Sequence, residues 1–230
     1  MRKILFILLS ATVVFSSCKK ETRPGPQAQV KFINGSVNTV NAQVYFDEVL
    51  LIGITSFPNA SNYSFVSVGT PTIKVQATSN ATTTYVVSGS SSLQNNINYT
   101  IIAADSAHKL KISVVTDDIT SPSEGKAGVR LFHLAGNAPM ISVDTTNNLS
   151  ATNTMFSSRT FNDQATSSSA ASFIGMNAGT YTFTAKNGTT VLFTKSITLA
   201  SGKLYTVAAT GAVGATVAPQ ALDFTVIPHN

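Results

Sequence analysis

Tryptophan is absent from these 230 residues, cysteine occurs once, histidine three times, and only 11% of positions carry charge. A lone cysteine cannot close an internal disulfide, so no disulfide framework holds this fold. Without tryptophan the usual aromatic platform of a sugar site is missing, and most of the 13 Phe and 6 Tyr are needed for cores. None of His108, His133 and His229 has a His, Asp or Glu partner at metal-ligand spacing, so no metal or other cofactor is expected. His133 reads as an ordinary strand position; His108 and His229 read as solvated. The adjacent carboxylates Asp47-Glu48 and Asp117-Asp118 point apart and read as turns rather than a Ca²⁺ site. No G-x-S-x-G elbow occurs, and Gly211-Ala212-Val213-Gly214 lacks the strand, helix and lysine of a phosphate loop. An enzyme is therefore not expected, and no catalytic residue is assigned. The net charge of +5 is not concentrated in any basic cluster beyond residue 27, which excludes nucleic acid as a partner.

No apolar run reaches the roughly 20 residues of a spanning helix. The longest, Ile4 to Phe15, follows Met1-Arg2-Lys3 and ends in small residues, the pattern of a secretory signal. Cys18 sits where that signal ends. Phe15-Ser16-Ser17-Cys18 resembles a bacterial lipobox, although Phe15 stands where Leu is usual. The resemblance implies cleavage before Cys18 and acylation of its thiol, and acyl chains supply firm anchoring. Residues 1–17 are then the signal peptide. Residues 18–27 are the lipidated cysteine and a Pro/Gly-rich tether that buries no apolar area. The membrane is the expected partner through this lipid. The expected location is the cell envelope, at the outer membrane, facing either the periplasm or the surface.

Beyond the tether the chain alternates. Val30–Asn34, Ala42–Phe46, Thr72–Ala77, Thr84–Val87, Tyr99–Ile102 and Lys111–Val115 are rich in β-branched and aromatic residues and separated by turn residues. No sustained 3.6-residue period follows the leader. The pattern then repeats: Val129–His133 mirrors Val30–Asn34, Ile141–Asp144 mirrors Val44–Asp47, and Leu204–Ala209 mirrors Asn98–Ala103. Each copy is about one sandwich domain long, roughly 100 residues. The expected fold is all-β, with two tandem immunoglobulin-like antiparallel β-sandwiches. The first covers residues 28–118, a linker covers 119–128, and the second covers 129–230. Each has its own strand set and is expected to bury its own core.

Leu93 precedes Tyr99, and Leu199 precedes Tyr205, at the spacing of the tyrosine corner of immunoglobulin-like domains. The segments "VKFINGS…AQVYFDE" and "NAGTYTFTAK…LASGKLYTVAATG" resemble the domain of unknown function 4397 (DUF4397) family, from Val30 to Ile227. That resemblance implies an exported bacterial β-sandwich module, often in tandem and often on lipoproteins, of the kind found in Bacteroidota. The family supplies no catalytic residue to carry over.

One loop stands out. The stretch from Asp144 to Phe173 is longer than its counterpart from Asp47 to Phe65, and places Met155, Phe156, Arg159, Phe161 and Asp163 in a polar context. Long loops on rigid scaffolds often carry binding, which makes Phe156, Arg159, Phe161 and Asp163 a candidate binding loop. The other reading is an extra edge strand at Met155-Phe156 followed by a disordered Ser/Thr run. Asp105-Ser106-Ala107 and Asp144-Thr145-Thr146 resemble acceptors for O-glycosylation, at Ser106 and Thr145. The leading expectation is a non-enzymatic envelope lipoprotein displaying two modules for structural or adhesive contact. The alternative is capture of a glycan or protein ligand through loops of the second module.

Overall fold

The first half of the chain forms β1 (Gln27–Asn34), β2 (Thr39–Phe46), β3 (Val49–Thr55), β4 (Ser64–Ser67), β5 (Thr72–Ser79), β6 (Thr84–Ser90), β7 (Asn98–Ala104) and β8 (Lys111–Asp117). The second forms β9 (Lys126–His133), β10 (Ile141–Asn147), β11 (Thr152–Arg159), the single-turn helix α1 (Ser168–Ala171), β12 (Ile174–Asn177), β13 (Gly179–Asn187), β14 (Thr190–Leu199), β15 (Leu204–Thr210) and β16 (Asp223–Pro228). The computed structural model describes residues 25–79, 82–147 and 152–229.

These strands build four sheets of four, in the orders β3-β2-β5-β6, β4-β1-β7-β8, β12-β9-β15-β16 and β11-β10-β13-β14. The second pair repeats the topology of the first strand for strand. Each half is a sandwich with its own core. Phe32, Val44, Val75 and Ile101 fill the first; Leu131, Val143, Phe183 and Phe224 fill the second. Most pairs are antiparallel, but β1 runs parallel to β7, and β9 to β15.

The burial patterns separate two kinds of strand. Outer strands alternate, as β5 does with every second residue buried. The central inner strands do not: β7 is buried from Tyr99 to Ala104 and β9 from Ala127 to His133. A strand covered on both faces loses its polar face and reads as a continuous run. The second cover is the other sandwich. Ile33, Ile102, Ala104 and Val115 from the first half pack with Phe132, Leu134, Ala208 and Ile227 from the second as a third apolar cluster. The two inner sheets therefore face each other, and the chain has four layers.

The fit is close. A Cβ on Gly35 would lie 2.4 Å from Leu134 Cδ1 and 3.1 Å from the Ala103 carbonyl, so only glycine lets the halves approach there. The Asp105 N–H donates across to the Leu134 carbonyl at 3.2 Å, and the Asn38 N–H to Gln220 Oε1 at 2.9 Å. The segment read as linker is short, since β9 already begins at Lys126. Asp47 and Glu48, with φ of 46° and 67°, form the two-residue hairpin turn from β2 to β3. Asp117 is not a turn residue: it closes β8 with its side chain buried.

Candidate functional site

Every second residue of an inner strand points between the sandwiches. Toward the C-terminal ends of β8 and β16 those positions are polar: Lys31 on β1, Thr100 on β7, Asp117 on β8, Arg130 on β9 and Thr206 on β15. His229 follows β16, and Tyr63 precedes β4. Arg130 is fully buried and His229 is 6% exposed, so the expectation of a solvated His229 is corrected. The terminal strand carries it into the seam by continuing to pair, as its N–H donates to the Leu204 carbonyl at 3.0 Å.

The hydrogen bonds close a ring. Arg130 Nη1 lies 2.7 Å from Asp117 Oδ1. Its Nε–H donates to Thr206 Oγ1 at 2.8 Å, and its Nη2–H to Thr100 Oγ1 at 3.2 Å. The Thr100 hydroxyl donates to Asp117 Oδ2 at 2.6 Å, as does the Tyr63 hydroxyl, also at 2.6 Å. Tyr63 Oη lies 2.8 Å from His229 Nδ1, and Thr206 Oγ1 lies 2.7 Å from His229 Nε2. Because the Tyr63 proton goes to the carboxylate, its oxygen must accept from Nδ1–H. Nε2 is then free to accept from Thr206, which assigns a neutral His229 protonated on Nδ1. The guanidinium also lies between two rings, 4.4 Å from the Phe132 centroid and 4.3 Å from that of Phe173. Arg130 Nη1–H donates to the Ala171 carbonyl at 3.1 Å.

The electrostatics agree with this protonation. Burial, reinforced by the Arg130 charge, pushes the His229 imidazole down to about 3. Burial and the Asp117 charge raise the Tyr63 phenol well above its ordinary value. Burial lowers Lys31, although Asp117 opposes it. The Lys31 ammonium donates to the Pro228 carbonyl at 2.9 Å and lies 5.2 Å from the Tyr63 ring centroid.

The seam is pseudo-symmetric. Lys31 pairs with Thr100 in the first half as Arg130 pairs with Thr206 in the second. Asn98 faces Asp117, and its counterpart Leu204 bonds the backbone of His229. Val30 faces Ser64 as Val129 faces Ile174, which makes Phe173 the counterpart of Tyr63 rather than of Phe65. One half thus supplies the anion and the phenol, the other the guanidinium and the imidazole.

The loop residues have structural placements. Phe156 lies on β11, an edge strand paired with β10, and its ring is part of the second core. Arg159 and Asp163 form a two-pronged ion pair, Nε to Oδ2 and Nη2 to Oδ1, both at 2.7 Å. Arg159 also holds the Ala170 carbonyl at 3.0 Å, so this pair ties the loop to α1. Phe161 crosses to the first half, with the Lys111 ammonium 5.1 Å from its ring centroid and His133 edge-on at 6.4 Å. The Ser/Thr run is ordered, as a 3-10 turn over Asp163–Ala165 followed by α1. Of the O-glycosylation-like positions, Ser106 is half-buried and Thr145 is buried inside β10, so a transferase would have to reach Thr145 before folding. Cys18 lies outside the described residues.

Tyr99 and Tyr205 sit one residue into β7 and β15. The Gln94 N–H donates to Tyr99 Oη at 3.0 Å, and the Ala200 N–H to Tyr205 Oη at 3.2 Å. Tyr99 is buried and Tyr205 half-buried. Tyr99→Phe is expected to cost about 1–3 kcal/mol by stranding the Gln94 N–H. Tyr205→Phe should cost less, because water can reach the Ala200 N–H. Urea unfolding of the two variants followed by circular dichroism measures the difference, and equal losses would contradict this ranking.

Beside the seam, the edge strands β8 and β12 leave a cleft of about 770 Å³. Val115, Thr116, Thr120, Gln164, Phe173 and Gly175 are among the residues lining it. Among the described residues no three His, Cys, Asp or Glu side chains are grouped to hold a metal ion, and no helix is long and apolar enough to cross a membrane.

These features define an all-β protein of two repeated sandwiches locked face to face by a buried ionic seam. The chain belongs to the family described as Domain of unknown function (DUF4397), whose family model matches residues 28–146, more than half of it. The match covers the first sandwich with β9 and nearly all of β10, and stops before the Gly179–Gly211 segment that resembles the same family. No curated protein matches the chain.

Proposed function

We propose that this protein is a non-enzymatic lipoprotein of the cell envelope that holds two sandwiches, as one stiff body, for structural or adhesive contact. The observation that carries the reading is the sealed seam. Asp117, Arg130 and His229 are buried there together, and Tyr63, Thr100 and Thr206 bond them to one another. That supports a fastening role rather than a reactive one, since a reactive group must reach its substrate. Cys18 supplies the anchor in this reading, and residues 19–27 the tether.

Cys18→Ala should move the protein from the membrane fraction to the soluble one and remove the mass of the acyl chains. Unchanged membrane association and mass would overturn the anchor. A second reading, capture of a ligand by the second sandwich, is favoured by the cleft that the Gln164–Ser168 segment helps to line.

A further inference from the structure

We propose that the cleft between β8 and β12 binds a neutral, hydroxyl-rich ligand of mono- or disaccharide size. This deepens the ligand-capture reading and does not depend on the lipid anchor. The volume, about 770 Å³, falls within the roughly 300–1,000 Å³ of ordinary small-ligand sites, and the place, between two packed modules, is where such sites concentrate. The long loop of the second half builds one wall. The Arg159–Asp163 pair fixes that loop, so the wall is preformed.

The chemistry of the lining selects the ligand. Gln164 is only 2% exposed, and its Oε1 accepts no hydrogen bond from the described residues. Its Nε2–H donates to Asn162 Oδ1 at 2.8 Å, which fixes the amide so that the oxygen is the unpaired end. That oxygen has essentially no accessible surface, so a ligand in the cleft meets the other groups of the lining rather than Gln164 Oε1. Thr116, Thr120, Thr166 and Ser168 add hydroxyls that can donate or accept. Asp118 is the one charged residue of the lining, and its carboxylate already accepts the Thr120 N–H at 3.0 Å. Nothing in the lining neutralises an anion. Phe173, Pro122 and Ile174 supply the apolar patch on which the C–H face of a sugar ring packs. Donors, acceptors and one apolar face, with no cationic partner, describe a neutral saccharide.

Gly175 offers a clean block. It is exposed, it lines the cleft, and nothing lies within 4 Å of a Cβ placed on it. Its φ lies outside the left-handed region, so a side chain there costs the strand nothing. The test is titration of the purified, isotope-labelled protein with maltose, lactose and diacetylchitobiose, following backbone amides by NMR. At least one sugar should give saturable shifts confined to residues 114–122 and 164–175. Gly175→Trp should abolish them with the thermal midpoint unchanged. If no sugar shifts these amides, or if Gly175→Trp leaves the shifts intact, the proposal fails. If an extended Val/Thr peptide shifts the same amides and the sugars do not, the cleft is a strand-addition site and the proposal also fails. None of these outcomes depends on whether Cys18 carries lipid, so this proposal and the anchored-display reading fail separately.

Discussion

Arg130→Met is expected to destabilise the protein by about 3–5 kcal/mol, the cost of leaving a buried charge without its partner. The loss is not that of one ion pair in water. Asp117 is 4% exposed, and the substitution removes the cation 2.7 Å from it together with the donor to Thr100 that orients a second bond to it. Thr100 and Tyr63 would remain as donors to Oδ2, but the carboxylate would lose the guanidinium that neutralises it. Arg130→Lys should recover little, because a single ammonium cannot serve Asp117, Thr206, Thr100 and the Ala171 carbonyl at once. The double variant Arg130→Met with Asp117→Leu should regain most of the loss, since replacing both members of a buried pair by apolar groups is often neutral. Urea unfolding at neutral pH, followed by circular dichroism because the chain lacks tryptophan, provides the comparison. A loss below about 1 kcal/mol for Arg130→Met, the range of an exposed pair, would show that water reaches Asp117 and that the seam is not sealed.

The seam was hard to read because alternation is ambiguous. In Val30-Lys31-Phe32, the apolar residues mark one core and Lys31 marks the other face. A polar residue that faces solvent and one that faces a second sheet look the same in sequence. The same holds for Thr100, Arg130 and Thr206. What distinguishes these strands is further along them: Ile33, Ile102, Ala104 and Phe132 occupy the supposed solvent face and form the third cluster. A strand apolar at consecutive positions is covered on both sides, so Phe32-Ile33 and Ile101–Ala104 carried the signal. The repeat carried another, because it placed Lys31 opposite Arg130 in the two copies, two cations at one register position.

The outer sheets were easier. One face of each is wet, so the period of two marks β2, β5 and β6, but β3 (Val49–Thr55) does not alternate and its sequence does not announce it. The long loop misled for a physical reason. Phe156, Arg159 and Phe161 are unusual in a polar stretch, and that oddity does mark contact, but the contacts are with the protein's own core, α1 and β8. Gln164, which the composition of the loop does not distinguish, is the residue with an unpaired oxygen. Read locally, Asp117 is a turn residue and His229 a tail residue. Their partners are far along the chain: Tyr63 meets His229 across 166 positions.

Stability should fall as pH drops from about 6.5 toward 3, and His229 should account for much of the slope. Burial and Arg130 hold its folded-state value near 3, against 6.5 for a free imidazole. Between those values the unfolded chain binds a proton that the folded chain does not, so acid favours unfolding. The contribution is fully present above about 6.5. It is lost at up to about 1.4 kcal/mol per pH unit as pH falls through the window, and the loss is complete below about 3. Protonation would cost the native state twice. Nε2–H would face the Thr206 hydroxyl and Arg130 Nη2, 3.4 Å away, and a third positive charge would join Arg130 and Lys31 against Asp117 alone. His133, which burial also pushes down, adds slope of the same sign. His229→Gln keeps an amide donor and acceptor but removes the titration, so it isolates the effect. Unfolding free energies at about pH 7 and about pH 4.5 should differ by about 2–3 kcal/mol less in the variant than in the parent, the share of one histidine over that interval. Equal pH dependence in the two proteins would mean that His229 takes up its proton in the folded state, and that the tail opens from the seam before the sandwiches part.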